Sequence, residues 1–144
     1  VLDSKNQENT ILRDSLLPSL LDNLSKNIHE SYPQKLFETG VVFSKGKPID
    51  ESINLAAVIA YKDTNYSEIK AIMQSLLKTN FKIISETKTS QNNELFTKGR
   101  HADIFVNNTK IGEIGEIDSN ILENFRIRTS VVGFEIKLSG LIFD

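Results

Sequence analysis

Hydrophobic positions along the chain fall into two helical stripes and several strands. At 100° per residue, Leu16, Leu17, Leu20, Leu21, Leu24 and Ile28 occupy one arc of roughly 140°. The sequence predicts a helix there, capped by Asp14 or Ser15, with Pro18 in the first turn, where a missing N–H costs little, and stopped before Pro33. Tyr66, Ile69, Ile72, Met73, Leu76 and Leu77 make a second stripe, a helix over Tyr66–Thr79 that follows a loop and cap at residues 62–65. Residues 3–10 are polar and without period, which predicts a loop.

Strands are expected at Lys35–Ser44, with Gly40 a bulge or a close approach, and at Ile53–Tyr61, the two pairing across a turn at Lys45–Pro48. Ile53–Tyr61 is apolar or small on both faces, as a covered central strand should be. Phe81–Glu86 is read as a strand and Thr87–Asn93 as a loop. Gly99–Val106 and Lys110–Ile117 are read as a hairpin around Asn107–Asn108, since asparagine tolerates positive φ. Ile111, Ile114 and Ile117 recur every three residues, so a bulge is expected near Gly112 or Gly115. Asp118 or Ser119 should cap a short helix, Asn120–Phe125. Ser130–Leu138 alternates, with Val132, Phe134, Ile136 and Leu138 facing in and Val131, Gly133, Glu135 and Lys137 facing out. This order predicts an α+β fold, a mostly antiparallel sheet flanked by helices that lie on one side.

Composition narrows the functional classes. The 144 residues suit one domain, residues 1–144, with 39% apolar and 25% charged side chains. A net charge of -2 lacks the basic excess of a protein that grips nucleic acid by itself. No cysteine is present, so disulfides and thiolate metal sites are excluded, and His29 and His101 lie far apart with no acidic cluster at ligand spacing. No apolar run is long enough for a membrane span and no signal-peptide pattern is seen, which makes the cytoplasm the expected compartment. The first residue is Val1, and the chain is expected to be a domain of a longer polypeptide.

Candidate chemistry is sparse. Gly112–Gly115 spells GxxG but carries glutamate inside a strand pattern, unlike an RNA-clamping loop between helices. His101 and Asp103 share a strand face and would suit an independent hydrolase, yet no nucleophile motif accompanies them; a solvent-facing polar edge is the simpler reading. Glu113 and Glu116 are read as surface carboxylates rather than an acid/base pair. Lys98, Arg100, Arg126 and Arg128 form a possible RNA contact.

Eight segments in register carry a resemblance: Leu12–Leu21, Pro33–Phe43, Leu55–Ala60, Ser67–Lys70, Gly99–Arg100, Ile111–Ile117, Leu122–Phe125 and Phe134–Ile136. The series resembles the C-terminal, catalytic-like region of phenylalanyl-tRNA synthetase β subunits, nearer the archaeal and eukaryotic form than the bacterial one. The resemblance implies a class II aminoacyl-tRNA synthetase-like fold whose active site lies in an α subunit. It implies an α2β2 heterotetramer that charges tRNA-Phe, with ATP and Mg used by the holoenzyme and no cofactor, metal or catalytic residue in this domain. An active class II site would hold the ATP phosphates with arginines, but Leu36–Gly40 and Phe134–Leu141 contain none. Asp118–Ser119 stands where related sequences carry His-Pro. The resemblance assigns the stripe Leu16, Leu17, Leu20, Leu21, Leu24 and Ile28 to the α/β interface, whereas the helical wheel alone favours a helix lying on its own sheet. A stand-alone synthetase-like paralogue with a regulatory or ligand-binding role is the alternative.

Overall fold

The computed structural model describes residues 13–44, 50–89 and 93–142. In chain order these form α1 (Leu17–Lys26), β1 (Gln34–Phe43), β2 (Glu51–Ala60), α2 (Tyr66–Phe81), β3 (Glu86–Thr89), β4 (Phe96–Val106), β5 (Thr109–Ile117), α3 (Ser119–Asn124), β6 (Val131–Lys137) and α4 (Ser139–Ile142). The predicted loop at 3–10 and the turn at 45–48 lie outside the described residues.

The six strands build one sheet in the order β1-β2-β6-β5-β4-β3, and every neighbouring pair is antiparallel. β6, last in sequence, enters the middle between β2 and β5. A strand in that place is covered on both faces, and β6 is: Val131, Gly133 and Glu135 are as buried as Val132, Phe134 and Ile136. The expected outward face of β6 is therefore inside.

The helices lie on both sides of the sheet, not on one. Leu16, Leu17, Leu20, Leu21 and Leu24 pack with Val58, Ala60 and Val131. Ile69, Met73 and Leu77 pack with Ile59, Val132 and Phe134. Val58 and Ile59 are adjacent in β2 and point to opposite faces, so α1 and α2 sandwich the sheet and the core is double.

Local chemistry explains the boundaries. Asn65 caps α2 by accepting the Glu68 N–H at 3.0 Å. Phe81 sits four residues after Leu77 and stays in the helix, which ends at Lys82 in a left-handed conformation with φ 58°. The strand expected at Phe81–Glu86 is thus displaced to Glu86–Thr89, a short polar edge strand. Asn107 and Asn108 have φ of 52° and 65°, the turn that suits a two-residue hairpin. Ile104 pairs with Gly112 and Phe105 with Lys110, so Ile111 is the extra residue of a bulge. That bulge brings Ile111 into the α2-side cluster with Ile114, while Ile117 joins the other one.

The expected cap of α1 is not made by Asp14 or Ser15. Leu16 occupies the cap position with no side-chain bond of its own. Glu135, on β6 beneath the helix, takes that role instead.

Candidate anion-binding cleft and the buried sheet face

Glu135 is 8% exposed and lies under the start of α1. Its two oxygens accept the Leu16 N–H at 2.8 and 2.9 Å, and Oε1 also accepts the Leu17 N–H at 3.0 Å. The Asn54 side-chain amide donates to Oε2 at 2.7 Å. The helix N-terminus leaves its first amides without partners, and a carboxylate there satisfies them and meets the positive end of the dipole. Burial nonetheless pushes the Glu135 carboxyl above its usual range, with Asn54, the two amides and Arg13 pulling the other way.

The places where a class II site would carry arginines hold scaffolding contacts. On β1, Glu38 is paired with Arg13 at 3.1 Å, and the Arg13 guanidinium lies over Gly40, where a Cβ would come within 2.5 Å of it. Gly40 is therefore a close-approach point, and β1 runs through it without a bulge.

His101 and Asp103 do not pair. His101 is 5% exposed and stacks on Phe96 with ring centroids 5.6 Å apart; its Nδ1 is 3.4 Å from the Thr97 carbonyl and its Nε2 has no hydrogen-bond partner. It is a buried ring, not a solvent-facing edge. Asp103 instead meets Lys110 at 3.2 Å. Lys110 also meets Glu113 at 3.0 Å; burial lowers its ammonium pKa, but Glu113 and Asp103 more than offset this and hold it above the ordinary value. Glu113 and Glu116, three apart on a strand, face opposite sides. Glu113 also takes the Asn93 amide, and Glu116 accepts the Tyr66 N–H at 3.3 Å and Arg100 at 3.4 Å. Asp103 and Glu113 are cross-strand partners bridged by Lys110, while Glu113 and Glu116 do not come together.

The leucines of the expected subunit interface are covered by the chain's own sheet. Leu16, Leu17, Leu20, Leu21 and Leu24 are all at most 3% exposed, and only Ile28, beyond the end of α1, is open. Their side chains are already packed within the chain. Phe37, opposite Ala57, is 77% exposed, and further along β1 Val41 and its β2 partner Ile53 are exposed as well. These three lie on the α2 face of the sheet, at the β1 edge that α2 leaves uncovered.

The possible RNA contact is divided. Arg126 and Arg128 line a cleft of about 710 Å3, together with Lys62, Ser119, Thr129 and Ile117. Arg100 lines a separate cavity of about 330 Å3 with Lys70, and Lys98 lines neither. Lys62 is remote from the arginines in sequence, and no local pattern joins it to them. The pairing of Ala60 with Val131, continued by the Tyr61 N–H to the Ser130 carbonyl at 3.2 Å, places the end of β2 beside the segment that carries Arg128.

A model of the phenylalanyl tRNA synthetase beta chain CLM domain matches residues 1–138. The chain belongs to this family. It is 35% identical over 142 residues to the phenylalanine–tRNA ligase beta subunit of Methanosarcina acetivorans, covering 99% of this chain and 25% of that protein. It is 39% identical over 137 residues to the same subunit of Archaeoglobus fulgidus, covering 95% and 24%. The chain thus spans about a quarter of the length of the curated relatives it matches. Its fold is also that of a pyrrolysyl tRNA synthetase from Desulfitobacterium hafniense, with a TM-score of 0.72 at 16% identity over 91% of this chain and 49% of that one. The expected class II synthetase-like architecture is thereby confirmed.

Proposed function

We propose that this chain is a non-catalytic, structural part of a phenylalanine–tRNA ligase β subunit, supporting the α/β assembly that charges tRNA-Phe. The observation that carries this reading is the use made of Glu135. At the centre of the sheet, where a synthetase would present groups to ATP, this chain has a carboxylate bound into the start of a helix. β1 adds a glutamate–arginine pair and β6 no arginine at all. Charge on a transferring adenylyl group needs cations aimed at it; neither strand provides an arginine, and the lysines they carry, Lys35 and Lys137, lack the planar fork that clamps a phosphate with two donors. In this reading ATP and magnesium act at the α subunit.

The partner surface in this account is the open patch of Phe37, Val41 and Ile53 rather than the leucine stripe. A large aromatic left mostly in water on a flat sheet face fits an interface anchor. In the full-length β subunit, Phe37→Asp should prevent co-purification with α while the fold persists. A charge at Leu16 or Leu20 would instead disrupt the core and report on folding. The isolated chain should give no phenylalanine-dependent exchange of pyrophosphate into ATP; measurable exchange would contradict the proposal.

A further inference from the structure

We infer that the cleft lined by Lys62, Arg126 and Arg128 binds the phosphodiester backbone of an RNA strand, resting on the reading that the chain belongs to a tRNA-charging assembly. The three cations come from two separate segments and converge on one opening. No ion pair holds any of them among the described residues, whereas Arg13, Arg100 and Lys110 are each paired with a carboxylate. Of the two acids in the lining, Glu116 is already engaged by Arg100 and the Tyr66 amide, leaving Glu123 as the opposing charge. The cations are exposed at the surface rather than buried within the cleft. That suits a backbone passing across the rim more than a small ligand enclosed in a pocket, which is fixed by buried polar groups.

Arg126 adds a second, independent argument. The Arg126 N–H bonds to the Glu123 carbonyl and the Ile127 N–H to the Leu122 carbonyl, both at 2.9 Å, which closes α3 in a Schellman motif. Arg126 is its left-handed residue, with φ 60°. Glycine is the low-cost choice there, because a Cβ is strained in that conformation. An arginine in a glycine's place costs the fold some strain, and this one lines the cleft, where its charge has a use that the turn itself does not require. Arginine also matches phosphate with two parallel N–H donors.

The test uses full-length β subunit co-expressed with its α partner and a tRNA-Phe transcript as the probe. Arg126→Gly should weaken tRNA binding about five- to tenfold, and the triple variant with Lys62→Gln and Arg128→Gln more, with a salt dependence shallower by about one unit of log K against log salt for each cation removed. Arg126→Gly should at the same time raise the melting temperature, a pairing of effects that a merely structural arginine would not give. Lys26→Gln, on the surface of α1, serves as the control and should leave binding unchanged. Unchanged affinity and salt slope in the triple variant, with α still bound, would overturn this inference alone. Failure of the unaltered β subunit to associate with α would overturn the assembly reading, whatever the arginines do.

Discussion

Glu135 holds the amide of Leu16 with both carboxylate oxygens, at 2.8 and 2.9 Å, across 119 residues of sequence. The contact joins the last strand of the sheet to the first helix, and it replaces a cap that the local sequence does not supply. Removing it leaves the Leu16 and Leu17 amides and the Asn54 side chain without their acceptor in a buried place. Glu135→Ala should therefore cost about 2–4 kcal/mol, from a missing cap and unpaired buried donors together. Glu135→Gln keeps a carbonyl for the two amides and should cost less than half of that. Denaturant unfolding of the three proteins measures both.

The pH dependence of this contact has an unusual sign. Burial raises the Glu135 carboxyl above its unfolded value, so the folded state binds the proton more tightly. Its contribution is greatest below the ordinary carboxylate range and is lost as pH rises through the folded pKa. Glu68 behaves oppositely: hydrogen bonds from Thr64 and then Tyr61 hold it low, so its contribution is present above the unfolded pKa and is lost as pH falls. The stability of Glu135→Gln relative to the parent should rise as pH climbs above the ordinary carboxylate range, about pH 4, whereas that of Glu68→Gln should fall as pH climbs toward about 4 from below. Parallel titrations of unfolding free energy would separate the two signs.

Two glycines of β4 and β5 should respond differently to alanine. A Cβ on Gly115 would stand 2.4 Å from His101 Cβ and 2.8 Å from the Arg100 carbonyl, so the strands must move apart. Gly99 has φ 83° and nothing within 4 Å of such an atom, so only the backbone conformation resists. Gly115→Ala should cost about 2–3 kcal/mol and Gly99→Ala about 1 kcal/mol. Urea midpoints give the comparison.

At the end of α3, Arg126→Gly should stabilise the fold by about 0.5–1 kcal/mol, the relief of a left-handed non-glycine residue net of the freer unfolded chain. Arg128→Gly, in the same segment but without positive φ, should not. Thermal unfolding distinguishes them.

Much of the fold was legible because periodicity records burial. The two faces of β2, the α2 stripe, the Asn107–Asn108 turn and the Asp118 cap, which accepts the Asn120 N–H at 3.0 Å, all follow from local rules. What escaped was set by topology. β3 is Glu-Thr-Lys-Thr, a polar edge strand held by its pairing with β4, and alternation cannot mark it. The outward side of β6 looked solvent-facing because its Gly133 and Glu135 are not apolar, yet the insertion of β6 beside β2 puts them under α1. His101 looked like a surface residue for the same reason, although the missing side chain of Gly115 leaves room for it. The cleft was half visible: Arg126 and Arg128 are neighbours in sequence, but Lys62 reaches them only through the β2–β6 pairing.

The central claim is that this chain holds an assembly together without doing its chemistry. The most direct measurement is co-purification of α with full-length β subunit carrying Phe37→Asp, with circular dichroism or hydrogen exchange confirming that the sheet is intact. The account predicts that the altered subunit stays folded and loses α. A folded Phe37→Asp subunit that retains α at the parent stoichiometry would contradict it.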